Sequence, residues 1–170
     1  MTNSNIIFLI GLMGSGKTSI GKLLAKETAR EFVDTDHEII KEKNLTIDNI
    51  FKKFGENYFR DIEHNTLLKL IKNKNSIIST GGGIILKKEN VDIMINSGKI
   101  IFLDIDIKTQ ILRIKNKKNR PLLDNDHMEE DLKKMKESRD RIYNSIANYI
   151  VNVSSKTKIE ILTELKNKLK

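Results

Sequence analysis

The sequence predicts an α/β protein: three layers, with a five-stranded parallel sheet between helices, built around a phosphate-binding turn. Three observations carry this. Short apolar, β-branched runs alternate with longer helical patterns, the rhythm of parallel strands joined by crossover helices. The first run, Asn5-Ile6-Ile7-Phe8-Leu9-Ile10, leads directly into Gly11-Leu12-Met13-Gly14-Ser15-Gly16-Lys17-Thr18, which fits G-x-x-x-x-G-K-[ST]. Every later run ends in chemically suggestive residues: Asp34-Thr35-Asp36, Gly81-Gly82-Gly83, Asp104 and residues 152–156. They share the carboxyl edge of the sheet, where such folds bind ligands.

The elements follow in order. Glycines in the first turn let backbone N–H groups wrap an anion, and the helix after it, over 19–26 with Ile20, Leu23 and Leu24 inward, adds its positive dipole end. Lys17 then reaches the β- and γ-phosphates and the Thr18 hydroxyl faces Mg²⁺. A strand over 32–34 precedes a brief helix over 37–43. Thr46 is placed to cap a helix over 47–54, and Gly55 to stop it. A longer helix over 58–72 turns Phe59, Ile62, Leu67, Leu70 and Ile71 to the core. A strand over 76–79, a helix over 88–96, a strand over 100–103 and a helix over 108–115 come next. Residues 116–127 are the most polar, irregular stretch and hold the single proline, Pro121. A helix over 129–147, a strand over 149–151 and an amphipathic helix over 159–170 close the chain. No linker or repeat divides residues 1–170, so one domain is expected. Residues 37–73 and 116–127 read as insertions on the sheet, placed to bind a second substrate and to act as a lid.

Composition excludes some classes. There is no cysteine, hence no disulfide, thiolate nucleophile or Cys-ligated zinc. The net charge is +8, but lysines are scattered over most helices rather than gathered in one stripe, which argues against a nucleic-acid face. No apolar run approaches the ~20 residues that span a membrane, and the first residues lack a basic signal-peptide region. A monomeric cytoplasmic protein is expected.

The motif alone names no activity. The guanine-reading Asn-Lys-x-Asp of switch GTPases is lacking, since Asn116-Lys117-Lys118-Asn119 follows a helix and ends without the acid. Motors are larger. A small-molecule kinase remains. Its magnesium acid is either Asp104, after four apolar residues, or Asp34. Residues i and i+2 beyond a strand end point the same way, because the side-chain period of extended chain is two. Asp34 and Asp36 would thus stand together, one near Mg²⁺ and one orienting an attacking hydroxyl and taking its proton. The alternative is that Asp36 merely caps the helix from 37.

Arginine usage adds to this. Of 31 basic residues only Arg30, Arg60, Arg113, Arg120, Arg139 and Arg141 are arginine. In so lysine-rich a chain an arginine points to a need for a planar, bidentate guanidinium. Arg60 and Arg139, if they converge with Asp36, make a pocket for a carboxylate that also bears hydroxyls. Surface pairing of Arg60 with Glu56 or Glu63 is the competing explanation, and it is preferred for Arg30 and Arg141.

Taken together these motifs resemble the shikimate kinase family. The resemblance rests on Gly11 to Thr18, Asp34-Thr35-Asp36, Gly55-Glu56 with Phe59-Arg60 and Glu63, Ser79-Thr80-Gly81-Gly82-Gly83, Arg120-Pro121-Leu122, and Arg139 with Tyr143. They span nearly the whole chain in the family's order. The resemblance implies transfer of the γ-phosphate of ATP to the 3-hydroxyl of shikimate, with Mg²⁺ as cofactor. It implies Asp36, Arg60, Gly82 and Arg139 at shikimate, and Thr18 and Asp34 at the metal. Gly14, Ser15, Gly16, Lys17, Thr18 and Ser19 would surround the phosphates. Arg120 would close on them as the lid arginine, and Arg113 and Lys156 would lie near the adenine. Lys17, Asp36 and Arg120 would be catalytic. Asp104 would merely end a strand. The family's usual acid in the last adenine loop is Asn152 here. Residue chemistry alone leaves two other readings open: a kinase for another hydroxy acid such as gluconate, and a basic nucleotide- or nucleic-acid-binding module.

Overall fold

A computed structural model describes residues 5–115 and 127–169. Five strands, β1 (Ile6–Ile10), β2 (Glu31–Asp34), β3 (Ser76–Ser79), β4 (Gly98–Asp104) and β5 (Tyr149–Asn152), form one sheet in the order β2-β3-β1-β4-β5. All four pairings are parallel. β1 lies in the middle and all five of its residues are buried, which is why it reads as a continuous apolar run. Helices α1 (Lys17–Glu27), α2 (Thr35–Lys43), α3 (Ile47–Leu70), α4 (Lys88–Ser97), α5 (Ile107–Lys115), α6 (Met128–Ile146) and α7 (Lys158–Leu169) complete the layers.

The main core joins β1, β3 and β4 to Ile20 and Leu24 of α1, Tyr143 of α6 and Ile161 and Leu165 of α7. The Tyr143 ring stacks on Phe102 with centroids 4.9 Å apart. A separate cluster of Ile39, Ile50, Phe59 and Ile62 ties α2 to α3, so this segment packs around a small core of its own.

Local signals explain most boundaries. The Thr46 side chain accepts from Asn49 N–H at 3.2 Å and starts α3 as an N-cap should. Gly55 interrupts α3 at φ 83°, ψ 173°, a conformation closed to other residues, so two helical segments meet there at a kink. The stop expected at Gly55 is thus present, although helix resumes at once.

One expectation is corrected. Helix α2 begins at Thr35, not at 37, and its N-cap is Asp34, whose Oδ1 accepts from the N–H groups of Asp36 (3.1 Å) and His37 (3.2 Å). Asp36 lies in the first helical turn and does not cap. The two acids are brought together by a helix start rather than by extended chain. A short 3₁₀ turn, Ile84–Leu86, after the glycine triplet was not anticipated.

Candidate active site

The carboxyl edge of the sheet opens into a cavity of about 520 Å³. One wall is the glycine-rich loop with Lys17 and Thr18; the other carries Asp34, Asp36, Arg60, Glu63, the glycine triplet and Arg139. Phosphate-loop and acceptor-side residues predicted from sequence therefore face one space.

The loop wall is built by backbone conformation. Gly14 (φ 82°) and Gly16 (φ 94°) are left-handed, and Gly16 is the N-cap of α1. Backbone N–H groups and the helix dipole face the same concavity, as anion binding requires. Lys17 Nζ donates to the carbonyls of Gly11 (2.7 Å) and Leu12 (3.0 Å) across the loop. Ser15 is buried, and the Thr18 and Ser19 side chains are exposed at the helix start. Thr18 Oγ1 donates to Asp34 Oδ2 at 2.8 Å, joining the two walls.

The other wall is an ionic network. Arg60 Nη1 donates to Glu63 Oε2 at 2.7 Å, and Arg60 Nε and Nη2 reach Glu56 Oε1 at 3.2 and 3.1 Å. The competing explanation, pairing with helix neighbours, is thus real, yet the pair sits at the cavity wall rather than on the surface, with Glu63 fully buried. Tyr143, also buried, donates to the Gly82 carbonyl and fixes the glycine triplet against α6. Burial pushes the Tyr143 hydroxyl up to about 12, so it stays a donor. Gly81 N–H donates to buried Thr35 Oγ1 at 2.9 Å, which ties the triplet to the start of α2.

Glu63, read from sequence only as a motif residue and a surface partner of Arg60, is a buried member of the site. Burial raises its pKa to about 7, with Asp36 adding to the rise and Arg60 and Arg139 opposing it. The folded chain then holds a proton between pH 4.5 and about 7 that the unfolded chain has lost. Stability from this group is full below pH 4.5 and is lost as pH rises through about 7, by on the order of 3 kcal/mol. Thermal midpoints of wild type and Glu63→Gln, measured from pH 5 to 8, should diverge, the variant falling less with rising pH. Parallel curves would exclude Glu63 as the titrating group.

Other candidates fall elsewhere. Asp104 pairs with Lys136 Nζ at 2.7 Å and does not line the cavity, so the acid that simple pattern matching selects is engaged in a structural ion pair. Arg113 donates to the Gly14 carbonyl (3.3 Å) and the Val153 carbonyl (2.7 Å), linking the loop to the end of β5. Lys156 pairs with Glu164 at 2.6 Å. Asn152 Oδ1 accepts from Ser154 N–H and shapes the turn after β5. Arg120 and residues 116–126 of the expected lid lie outside the described residues.

Comparison with known proteins decides the family. The sequence pattern of the family described as Shikimate kinase matches residues 13–170. The chain belongs to the shikimate kinase family. A shikimate kinase from a Sulfurihydrogenibium species is 35% identical over 164 residues, covering 96% of this chain and 97% of that one. One from Pelotomaculum thermopropionicum is 42% identical over 149 residues, covering 88% and 86%. Among solved structures, the shikimate kinase from Acinetobacter baumannii in complex with shikimate superposes with a TM-score of 0.89 at 35% identity, over 98% of this chain and 96% of that chain. A gluconokinase from Sinorhizobium meliloti shares the fold, with a TM-score of 0.61 at 17% identity over 99% and 93%. The fold is that of a P-loop kinase, and as a shikimate kinase the chain is an ATP-dependent phosphotransferase of aromatic amino acid biosynthesis.

Proposed function

We propose that this chain transfers the γ-phosphate of ATP to the 3-hydroxyl of shikimate with the residues assembled in the cavity. The observation that carries this is the facing of a phosphate loop and an Asp36–Arg60–Arg139 wall across one space. A carboxylate held by two guanidiniums places the ring, and Asp36 orients the hydroxyl and accepts its proton late in transfer. Phosphoryl transfer passes through a loose transition state, so positioning and charge neutralisation do most of the work. Loop N–H groups from Gly14 to Ser19, Lys17 and Arg120 supply that neutralisation. Arg113 and Lys156 serve the adenine side. Residues 37–73 hold the acceptor and residues 116–127 close over it, within one kinase domain.

Thr18 and Asp34 fit Mg²⁺. Both offer oxygen and they already touch. Thr18 and Asp34 would hold the ion through oxygen, the donor type Mg²⁺ takes. When bound it neutralises charge on the β- and γ-phosphates.

The reading extends to a cytoplasmic monomer without a nucleic-acid partner. Several surface lysines are spent on acids of this chain: Lys69 on Glu42, Lys87 on Asp61, Lys133 on Glu129 and Lys166 on Glu27. No helix among the described residues is long and apolar enough to cross a membrane.

A coupled ADP-release assay tests the assignment. Shikimate should support turnover that a chelator abolishes and Mg²⁺ restores, while gluconate and nucleoside monophosphates remain at background. Turnover with gluconate and none with shikimate would overturn it.

A further inference from the structure

Helix α5 packs against the phosphate loop, none of its residues lines the cavity, and two of them grip consecutive loop carbonyls. Gln110 Nε2 donates to the Met13 carbonyl at 2.9 Å, and Arg113 Nη1 to the Gly14 carbonyl at 3.3 Å. The contact is close: a Cβ at Gly14 would lie 3.6 Å from Gln110 Cγ and 3.5 Å from Ile114 Cγ1. We propose that Gln110 is a positioning residue that aims the Gly14 N–H at the nucleotide phosphates by holding the Met13 carbonyl from α5.

The Met13–Gly14 bond is trans, so its C=O and N–H point in opposite directions in one plane. A donor that fixes the Met13 carbonyl toward α5 fixes the Gly14 N–H away from it. Met13 and Gly14 also line the cavity, so that direction faces the place where phosphate binds. A loop amide aimed beforehand costs no reorganisation when the anion arrives. The Met13 side chain packs with Ile107, Ile111 and Ile114 of α5, but Gly14 has no Cβ, so without the grip the peptide between them can still rotate.

Packing does not account for Gln110. The side chain is fully buried, and its Oε1 has no hydrogen-bond partner among the described residues. A buried orphan acceptor destabilises a fold, whereas an aliphatic side chain of similar size would not. Among the described residues, only the Nε2 bond to Met13 uses the amide. A carboxylate at this position would set an acceptor against an acceptor, so the residue must be a neutral donor.

The inference rests on the reading of this loop as the ATP site, and the test keeps the two apart. Gln110→Leu and Gln110→Met remove the donor and the orphan acceptor together. Each deletes the orphan Oε1 but takes the donor from the Met13 carbonyl, so the two effects oppose and the thermal midpoint should stay close to that of wild type. Each should raise the Kd for ADP, measured by calorimetry, and the KM for ATP by about tenfold, the loss of one charge-assisted hydrogen bond. The KM for shikimate should stay unchanged. ADP affinity within about twofold of wild type in either folded variant would overturn the proposal. So would a fall in midpoint with both KM values moving together, or failure of both variants to fold, since Gln110 would then be a packing residue. Absence of ADP binding by wild type would instead remove the ATP-site reading itself, and this proposal with it.

Discussion

Asp36→Asn is expected to lower kcat by about 10²–10⁴-fold while leaving ADP affinity within about twofold of wild type, the range for loss of a general base. Asp36 lines the cavity from the first turn of α2, across from the phosphate loop. Its neighbour Asp34 is committed elsewhere: one carboxylate oxygen caps α2 and the other accepts from Thr18. The two acids are therefore not interchangeable, and Asp34 cannot take over proton acceptance without releasing the helix start. Asparagine keeps the size of Asp36 and can still accept a hydrogen bond from the hydroxyl, but it cannot take the proton. The loss should thus fall on kcat more than on shikimate KM. Near-normal turnover by the variant would remove Asp36 from the catalytic role. Single-turnover measurements of phosphotransfer, with ADP binding measured alongside, give both quantities.

That Asp34 and Asp36 belong together was legible in the sequence, but the reason offered was wrong. Alternation along extended chain would have paired them; the structure pairs them through an N-cap, because Asp34 ends β2 in extended conformation and its side chain there accepts two N–H groups of the helix that follows. The sheet itself was plain, since β1, β3 and β4 are short and apolar and each empties into polar turns. Arg60 and Arg139 stood out only because arginine is scarce here. Gln110 carries no such mark, and Glu63 is marked only as a neighbour of Arg60. Glu63 is one acid in a helix with several, and its burial is decided by Gly81, whose missing side chain leaves room: a Cβ there would lie 2.8 Å from both Glu63 Oε1 and Asp36 Oδ1. Gln110 meets Met13 across 97 residues of chain, a contact that no local pattern encodes. Tertiary packing, not spacing, selects such residues.

Arg60→Lys and Arg139→Lys should each weaken shikimate binding by about 10- to 150-fold and leave ATP KM unchanged, the loss expected when charge-assisted, bidentate hydrogen bonds become a single point contact. Arg60 is held by Glu56 and Glu63, so its guanidinium is fixed before substrate arrives. A lysine keeps the charge but not the fork, and cannot satisfy Glu63 and a substrate carboxylate in one plane. Gly83→Ala supplies an independent test of the same clamp without touching a charge. A Cβ on Gly83 would fall 2.6 Å from Arg60 Nη1 and 2.7 Å from Cζ, too close for both to remain. The guanidinium is the flexible end of its side chain, so it should yield and the fold should survive. The outcome expected is a near-normal thermal midpoint with shikimate affinity reduced as in Arg60→Lys. Combining Gly83→Ala with Arg60→Lys should then add little, because both disable one contact. Fully additive losses would mean that Gly83 acts on shikimate by some route other than Arg60, and an effect of Arg60→Lys on ATP alone would place the carboxylate clamp elsewhere.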